Sequence, residues 1–277
     1  MAHRVQTISR RILIADLGSV GVGLAILAAC GSSDELESGD NDGSGTSGST
    51  ATATSPRDTP PATTSADASA PGTTTEVDDP VGLLWEHVPF GSVSAFVLVR
   101  NGEAAVVDTG AAGGAASILD GLSTLGASWS DVRHVVLTHK HDDHVGGLAG
   151  VIDEAPGATV YAGEDDIERI RSSVPLRAVG DGDAIMGLGV VNTPGHTPGS
   201  ISLFDTGTGL LVAGDAITGG DGRIRGPDPR FSEDIATATA SLATLVALGP
   251  EVAAFGHQGG PPIMVDVAAQ LAALAAG

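Results

Sequence analysis

From residue 81 onward, short apolar runs alternate with longer amphipathic ones, and turn residues separate them. The short runs fall at 83–88, 94–100, 104–108, 134–138, 159–162, 187–192, 200–204, 210–213 and 252–255. Val, Ile and Phe recur in them and Gly, Pro, Asn or Asp bound many of them, a combination that predicts strands. Asn101-Gly102 lies between the second and third runs. That dipeptide accepts two successive positive φ angles, so it predicts a tight hairpin. The longer runs at 115–125, 145–152, 164–170, 232–248 and 263–275 predict helices. Ser232 is the expected N-cap of the fourth, with Glu233 and Asp234 at its positive end. Helices that follow strands in this way predict an α/β layered domain.

The first 80 residues break the pattern. Residues 1–30 read as an export leader. The run 12–29 is apolar except for Asp16 and small residues, and it ends Leu27-Ala28-Ala29-Cys30. This resembles a bacterial lipoprotein signal, in which cleavage precedes the Cys and the new terminus is lipidated. Ser9-Arg10-Arg11-Ile12-Leu13 resembles a twin-arginine signal. An uncleaved span is the competing reading, since 18 apolar residues just cross a bilayer. Asp16, the glycines and the position of Cys30 favour the lipoprotein. The expected location is the outer face of a bacterial cell membrane, held by lipid at Cys30. Residues 31–80 are Ser, Thr, Ala, Gly, Pro and Asp, with ten acids and one Arg. Such a segment buries too little surface to offset chain entropy and is expected to be a disordered, solvated linker. One globular domain is then expected over 81–277.

Charge and composition narrow the function. Acidic residues outnumber basic ones 34 to 13, for a formal charge of −21. That argues against a nucleic-acid partner, which needs a basic surface for its phosphates. One Cys allows no intramolecular disulfide and no Cys-based metal cluster. Aromatics are only 3%, so the core must be built from Ala, Val, Leu and Ile.

Histidine carries the chemical signal. Residues 138–144 read Thr-His-Lys-His-Asp-Asp-His, directly after apolar Val135-Val136-Leu137. If the chain stays extended past Thr138, His139 and His141 project to the same side. Two imidazoles a few ångströms apart can share a metal ion. Asp143 and His144 follow where the chain turns into a helix and can enter the same region from another direction. Imidazole with carboxylate suits zinc, and also iron or manganese.

Four further pieces accompany the cluster, in order along the chain. They are Asp108-Thr109-Gly110 after a strand, Pro194-Gly195-His196-Thr197-Pro198-Gly199, Leu211-Val212-Ala213-Gly214-Asp215, and Phe255-Gly256-His257. Together with His139–His144 they resemble the metallo-β-lactamase-fold hydrolase superfamily over about residues 81–277. The resemblance implies an α/β fold, the αβ/βα four-layer sandwich. It implies two zinc ions, the first on His139, His141 and His196 and the second on Asp143, His144 and His257. Asp215 would bridge them, and Asp108 would orient a ligand imidazole. Asp143 would also orient the nucleophile and pass its proton on. His3 falls in the leader, and His87 and His134 are ordinary strand residues.

The implied reaction is hydrolysis of a small-molecule ester, thioester, lactone, amide or phosphodiester by metal-bound hydroxide. The body carries nine basic and 23 acidic residues, so it lacks the basic surface of an RNA-processing member. A glutathione thioesterase of the family is expected to add helical sequence after the last His, and about 20 residues follow His257 here. Oxygen-reducing members place Glu where this chain has His141. A mononuclear-iron sulfur dioxygenase-like enzyme stays open, as do a true β-lactamase and a non-catalytic, metal-containing surface binding protein. The last needs only four ligands, whereas seven candidates converge here. Residues 218–230 are rich in Gly and Pro and read as a loop at the mouth of the site. They carry Arg223, Arg225 and Arg230. Arg223 or Arg225 is expected to hold the carboxylate or phosphate of an anionic substrate.

Overall fold

The computed structural model describes residues 82–277. The leader, Cys30 and the linker lie outside the described residues. The chain orders itself as β1 (Leu84–Phe90), β2 (Val93–Arg100), β3 (Glu103–Val107), α1 (Ala115–Thr124), β4 (Val132–Leu137), α2 (Asp142–Val145), α3 (Leu148–Glu154), β5 (Thr159–Gly163), α4 (Glu164–Ile167) and β6 (Leu176–Val179). It continues through β7 (Ala184–Ile185), β8 (Leu188–Asn192), β9 (Ile201–Asp205), β10 (Leu210–Val212), β11 (Thr218–Gly220), β12 (Arg223–Arg225), α5 (Ile235–Leu248), β13 (Val252–Ala254) and α6 (Val267–Ala275).

Two mixed sheets result. The first has six strands in the order β1-β2-β3-β4-β5-β6, and the second has five in the order β13-β10-β9-β8-β7. The β2–β3 hairpin turns at Asn101 and Gly102, with φ of 54° and 77°. From β3 to β6 the strands are parallel, so each step needs a crossover, and α1, α2 with α3, and α4 supply them.

Period-two alternation along the strands sorts side chains into three cores. In β2, Ala95 and Val97 face outward against Ile118 and Leu122 of α1 and Val151 of α3. Phe96 and Leu98 face inward, where they meet Leu188, Leu203 and Val212 of the second sheet. On that sheet's outer face, Leu211 and Ala253 pack with Leu242 and Leu245 of α5 and Leu271 of α6. Helix, sheet, sheet and helix therefore stack as four layers. Each fully buried aliphatic side chain contributes about 1.5–3 kcal/mol.

The element boundaries differ from expectation in several places. β6 and β7 are short strands that the pattern did not announce. Residues 145–152 do not form one helix, because Gly146 and Gly147 separate α2 from α3. The segment 218–230 is not all loop, since Thr218–Gly220 and Arg223–Arg225 pair as an antiparallel ribbon. The cap of α5 is Asp234, whose side chain accepts Thr237 N–H at 3.0 Å, and Ser232 instead donates to the Asp228 carbonyl at 2.9 Å. α6 starts at Val267 rather than 263, because Ile263 is held in a β-bridge to Ala253. Among the described residues, no helix is long and apolar enough to cross a membrane.

Candidate metal centre

The positioned side chains come from the same end of both sheets. β3 ends at Val107 and delivers Asp108. β4 ends at Leu137, after which Thr138 leads into His139 and His141. α2 begins at Asp142 and presents Asp143 and His144. From the second sheet, the β8–β9 connection carries His196, β10 leads to Asp215 and β13 leads to His257. Two main-chain bonds tie the sheets together there, Ile201 N–H to the Thr138 carbonyl at 2.9 Å and Ser94 N–H to the Gly256 carbonyl at 2.8 Å.

Three nitrogens converge on one side. His196 Nε2 lies 3.2 Å from His139 Nε2 and 2.9 Å from His141 Nδ1. The rings of His139 and His141 stand edge to face at 4.8 Å, as expected for alternate residues of an extended segment. On the other side, His257 Nε2 lies 3.3 Å from Asp143 Oδ2, and His144 Nε2 lies 4.0 Å from it. Asp215 reaches both sides. Its Oδ2 is 3.4 Å from His196 Nε2 and 3.3 Å from His257 Nε2, while Oδ1 is 3.5 Å from His144 Nε2. Every metal-ligand candidate read from the sequence is in this cluster.

Asp108 stands behind it. Its Oδ2 accepts His144 Nδ1–H at 2.8 Å and Thr138 Oγ1–H at 2.8 Å, and Oδ1 accepts Thr138 N–H at 2.7 Å. This fixes the orientation of the His144 ring, with Nε2 turned to Asp215. Asp108 adopts φ of 58°, the left-handed region that a non-glycine residue enters at a cost.

The donor set fits divalent cations. His144 Nε2 and Asp215 Oδ1 are buried with no hydrogen-bond partner among the described residues. Their 3.5 Å separation is too long for a good bond. Leaving such atoms unmet costs about 1–3 kcal/mol each, so a ligand between them is the natural partner. Burial, followed by the other imidazoles, holds His139 well below its ordinary range despite Asp215. Burial also pushes His196 down to about 4. Both rings are thus neutral near pH 7, which is the form that binds a metal. Burial alone would lower His144, but Asp108 and Asp215 outweigh it and hold it at about 10. Asp143 and Asp215 hold His257 at about 10. Burial opposes the charge of Asp215, yet the neighbouring His144 and His257 imidazoles keep it well below the usual carboxylate range. The carboxylates are therefore answered by imidazolium protons where cations would answer the same charge.

A cavity of about 870 Å³ opens over the cluster. Asp143, His257, Thr218, Arg225, Arg230 and Phe231 are among its walls. Arg225 is the one of the two expected substrate arginines that the structure places there. Arg223 is not in the wall; it sits at the turn end of the ribbon, opposite Gly220, and is exposed. Arg230 is occupied by Asp228, with Nη2 to Oδ2 at 2.6 Å and Nε to Oδ1 at 3.0 Å. Its guanidinium lies 5.1 Å from the centre of the Phe231 ring. Phe231, 62% exposed, was missed in the sequence, where a lone aromatic in a Pro-rich segment carries no pattern. His87 and His134 lie in β1 and β4; His87 bonds Ser94 Oγ and His134 faces Tyr161.

Comparison with known proteins agrees with this geometry. The family model described as the Metallo-beta-lactamase superfamily matches residues 88–257. The metallo-beta-lactamase domain-containing protein 1 of Xenopus laevis is 35% identical over 66% of this chain and 77% of its own. A hydroxyacylglutathione hydrolase of Erwinia tasmaniensis is 40% identical, over 32% of this chain and 36% of its own. Among solved structures, a metallo-beta-lactamase family protein of Thermus thermophilus superposes with a TM-score of 0.57 at 25% identity, covering 70% of this chain and 78% of its own.

Proposed function

The chain belongs to the metallo-beta-lactamase superfamily and is a metallo-hydrolase, and on that premise we propose that it uses two zinc ions to hydrolyse a small anionic ester, thioester, lactone, amide or phosphodiester. One observation carries the reading: Asp215 stands between a three-imidazole group and a carboxylate–imidazole group, within 3.5 Å of members of both. His139, His141 and His196 would hold one ion and Asp143, His144 and His257 the other, with Asp215 shared. Zinc matches a donor set of imidazole and carboxylate. When bound, the ions supply Lewis acidity and lower the pKa of water.

The chain's own groups do the rest. Asp143 is half-exposed to the cavity, and a hydrogen bond from His257 keeps it below the usual carboxylate range. It can accept a hydrogen bond from a water in the cavity and so orient it, and would take its proton only where bound ions lower that water's pKa. Asp108 keeps His144 from turning. Arg225 faces the cavity without an ion-pair partner among the described residues, and so can take a substrate carboxylate or phosphate.

Elemental analysis of purified protein, with turnover measured on a lactone, a thioester, a phosphodiester and a β-lactam, tests this. Two zinc ions per chain with turnover of at least one substrate are expected. One iron with oxygen uptake would replace the reading with an oxidation catalyst, and metal without turnover would leave a binding protein.

The proposal includes export and lipid anchoring at Cys30, supported by the apolar run 12–29 and its Leu27-Ala28-Ala29-Cys30 end. Cys30→Ala is expected to release the protein from membranes. A variant that stays membrane-bound after carbonate washing would remove the anchor.

A further inference from the structure

One buried carboxylate is not explained by the metal cluster. Asp166 belongs to the one-turn helix α4 and is fully buried. Its Oδ2 accepts Lys140 N–H at 3.0 Å and Thr197 Oγ1–H at 2.5 Å. Its Oδ1 accepts Gly199 N–H at 3.1 Å and lies 3.6 Å from Lys140 Nζ. Lys140 sits between His139 and His141, and Thr197 follows His196. Asp166 therefore holds, on one side chain, the two separate segments that bring three imidazole nitrogens together.

The packing leaves little freedom. A side chain on Gly199 would stand 2.5 Å from Asp166 N, and one on Gly163 would stand 2.0 Å from the Gly199 carbonyl oxygen. The segment around Gly199 is close-packed against the start of α4, where the carboxylate is fully buried. By contrast, among the described residues Asp143, His144 and His257 make no hydrogen bond or ion pair with Asp166 and are set by α2, Asp108 and the Ser92 carbonyl, which accepts from His257 Nδ1 at 3.0 Å.

Resting on the two-ion reading above, we propose that Asp166 is a positioning residue for the three-histidine half of the centre alone. It sets the distance between the His139–His141 segment and the His196 segment, and so the affinity of that half for its ion. Asp166→Asn keeps the volume but turns an amide N–H₂ toward either Lys140 N–H or the Gly199 and Lys140 Nζ side, so at least one clamp bond is lost. Removing a partner that orients metal-binding side chains typically weakens metal affinity about 10- to 100-fold. A loss in that range is expected for one ion, with the other held as in the unaltered protein.

The experiment is stepwise zinc removal from the full-length protein with a graded chelator series, read by zinc content and by the circular dichroism of the metal-free form. The unaltered protein releases two ions. For Asp166→Asn, one ion is expected to leave at 10- to 100-fold lower chelator strength. Thr197→Val removes one clamp bond, together with the hydroxyl contact to Ser200, and is expected to shift the same ion less. It also serves if Asp166→Asn does not fold. Parallel loss of both ions in either folded variant, or no shift in either, overturns the proposal. An unaltered protein that binds no zinc overturns the two-ion reading itself, and is told apart by appearing before any variant is made.

Discussion

Gly256 shows how little room single residues have at this centre. A Cβ there would lie 2.1 Å from Asp215 Oδ1 and 2.4 Å from His144 Cε1. Real Cβ contacts never come so close, so a side chain must push apart a carboxylate and an imidazole that face each other across the two sheets. The residue is glycine because the strand delivering His257 runs past Asp215 in contact with it. Gly256→Ala is expected to keep the fold, with a stability loss of about 1–3 kcal/mol from overpacking. Displacing reactive groups by about 1 Å costs on the order of 100-fold in rate. A fall of that size in kcat/KM, together with lower zinc content, is the expected outcome on the substrate found in the panel. Near-normal turnover with full zinc would mean that Asp215 and His144 relax freely.

At the scale of elements, the ribbon of β11 and β12 carries the argument about substrate. It leaves the strand that delivers Asp215, and Thr218, Gly219 and Arg225 line the cavity. Ile224 anchors it in the core formed with α5 and α6, so Arg225 is presented from a fixed support rather than a free loop. A charge-assisted hydrogen bond is worth about 1.5–3 kcal/mol, or roughly 10- to 100-fold in binding. Arg225→Ala is expected to raise KM by that factor for anionic substrates and to leave neutral analogues nearly unchanged. Arg223→Ala is expected to change neither. Equal effects on charged and neutral substrates would take Arg225 out of the binding account. The ribbon also marks where the sequence stops being legible. His139, His141, Asp143 and His144 could be read because covalent spacing alone brings them near each other. The layers could be read because alternation and helical periodicity are written locally. Gly219, Gly220, Gly222 and Gly226 hid the ribbon, since its pairing depends on its seat against α6 rather than on strand-forming residues. Asp166 was hidden differently: among Glu164 and Asp165 it looks like an ordinary acid at a helix start, and only the fold buries it.

The described domain is built on two large sheets that must stay in register, because each supplies part of the centre. At the end near the metal site, Ser94 N–H bonds the Gly256 carbonyl. At the far end of β2, Arg100 crosses to the second sheet, with Nη2 to Asp205 Oδ1 at 2.6 Å and Nη1 to the Met186 carbonyl at 2.8 Å. Asp205 is buried, and its Oδ2 accepts Thr208 N–H and Oγ1–H at 2.9 and 2.7 Å. Burial works against the charge of Asp205, but the bonds from Arg100 and Thr208 outweigh it and hold the carboxyl below its usual range. A carboxyl whose pKa is lower in the folded state than in the unfolded chain contributes stability above the unfolded value, about 3.9. That contribution falls away as pH drops below this value and through the folded one, where both states are protonated. Asp205→Asn removes the charge and keeps the shape. It is expected to cost about 1.5–3 kcal/mol at pH 7, the worth of a hydrogen bond to a charged group. The carboxylates of the metal centre also titrate in acid, but they are common to both proteins and cancel in the difference. Urea unfolding of the two proteins, metal-free, from pH 7 down to pH 3 measures that difference directly. The gap is expected to narrow below about pH 4. A gap that stays constant to pH 3 would mean that the folded state does not hold the Asp205 carboxyl below its unfolded value, and would leave the ion pair between the sheets without a net contribution.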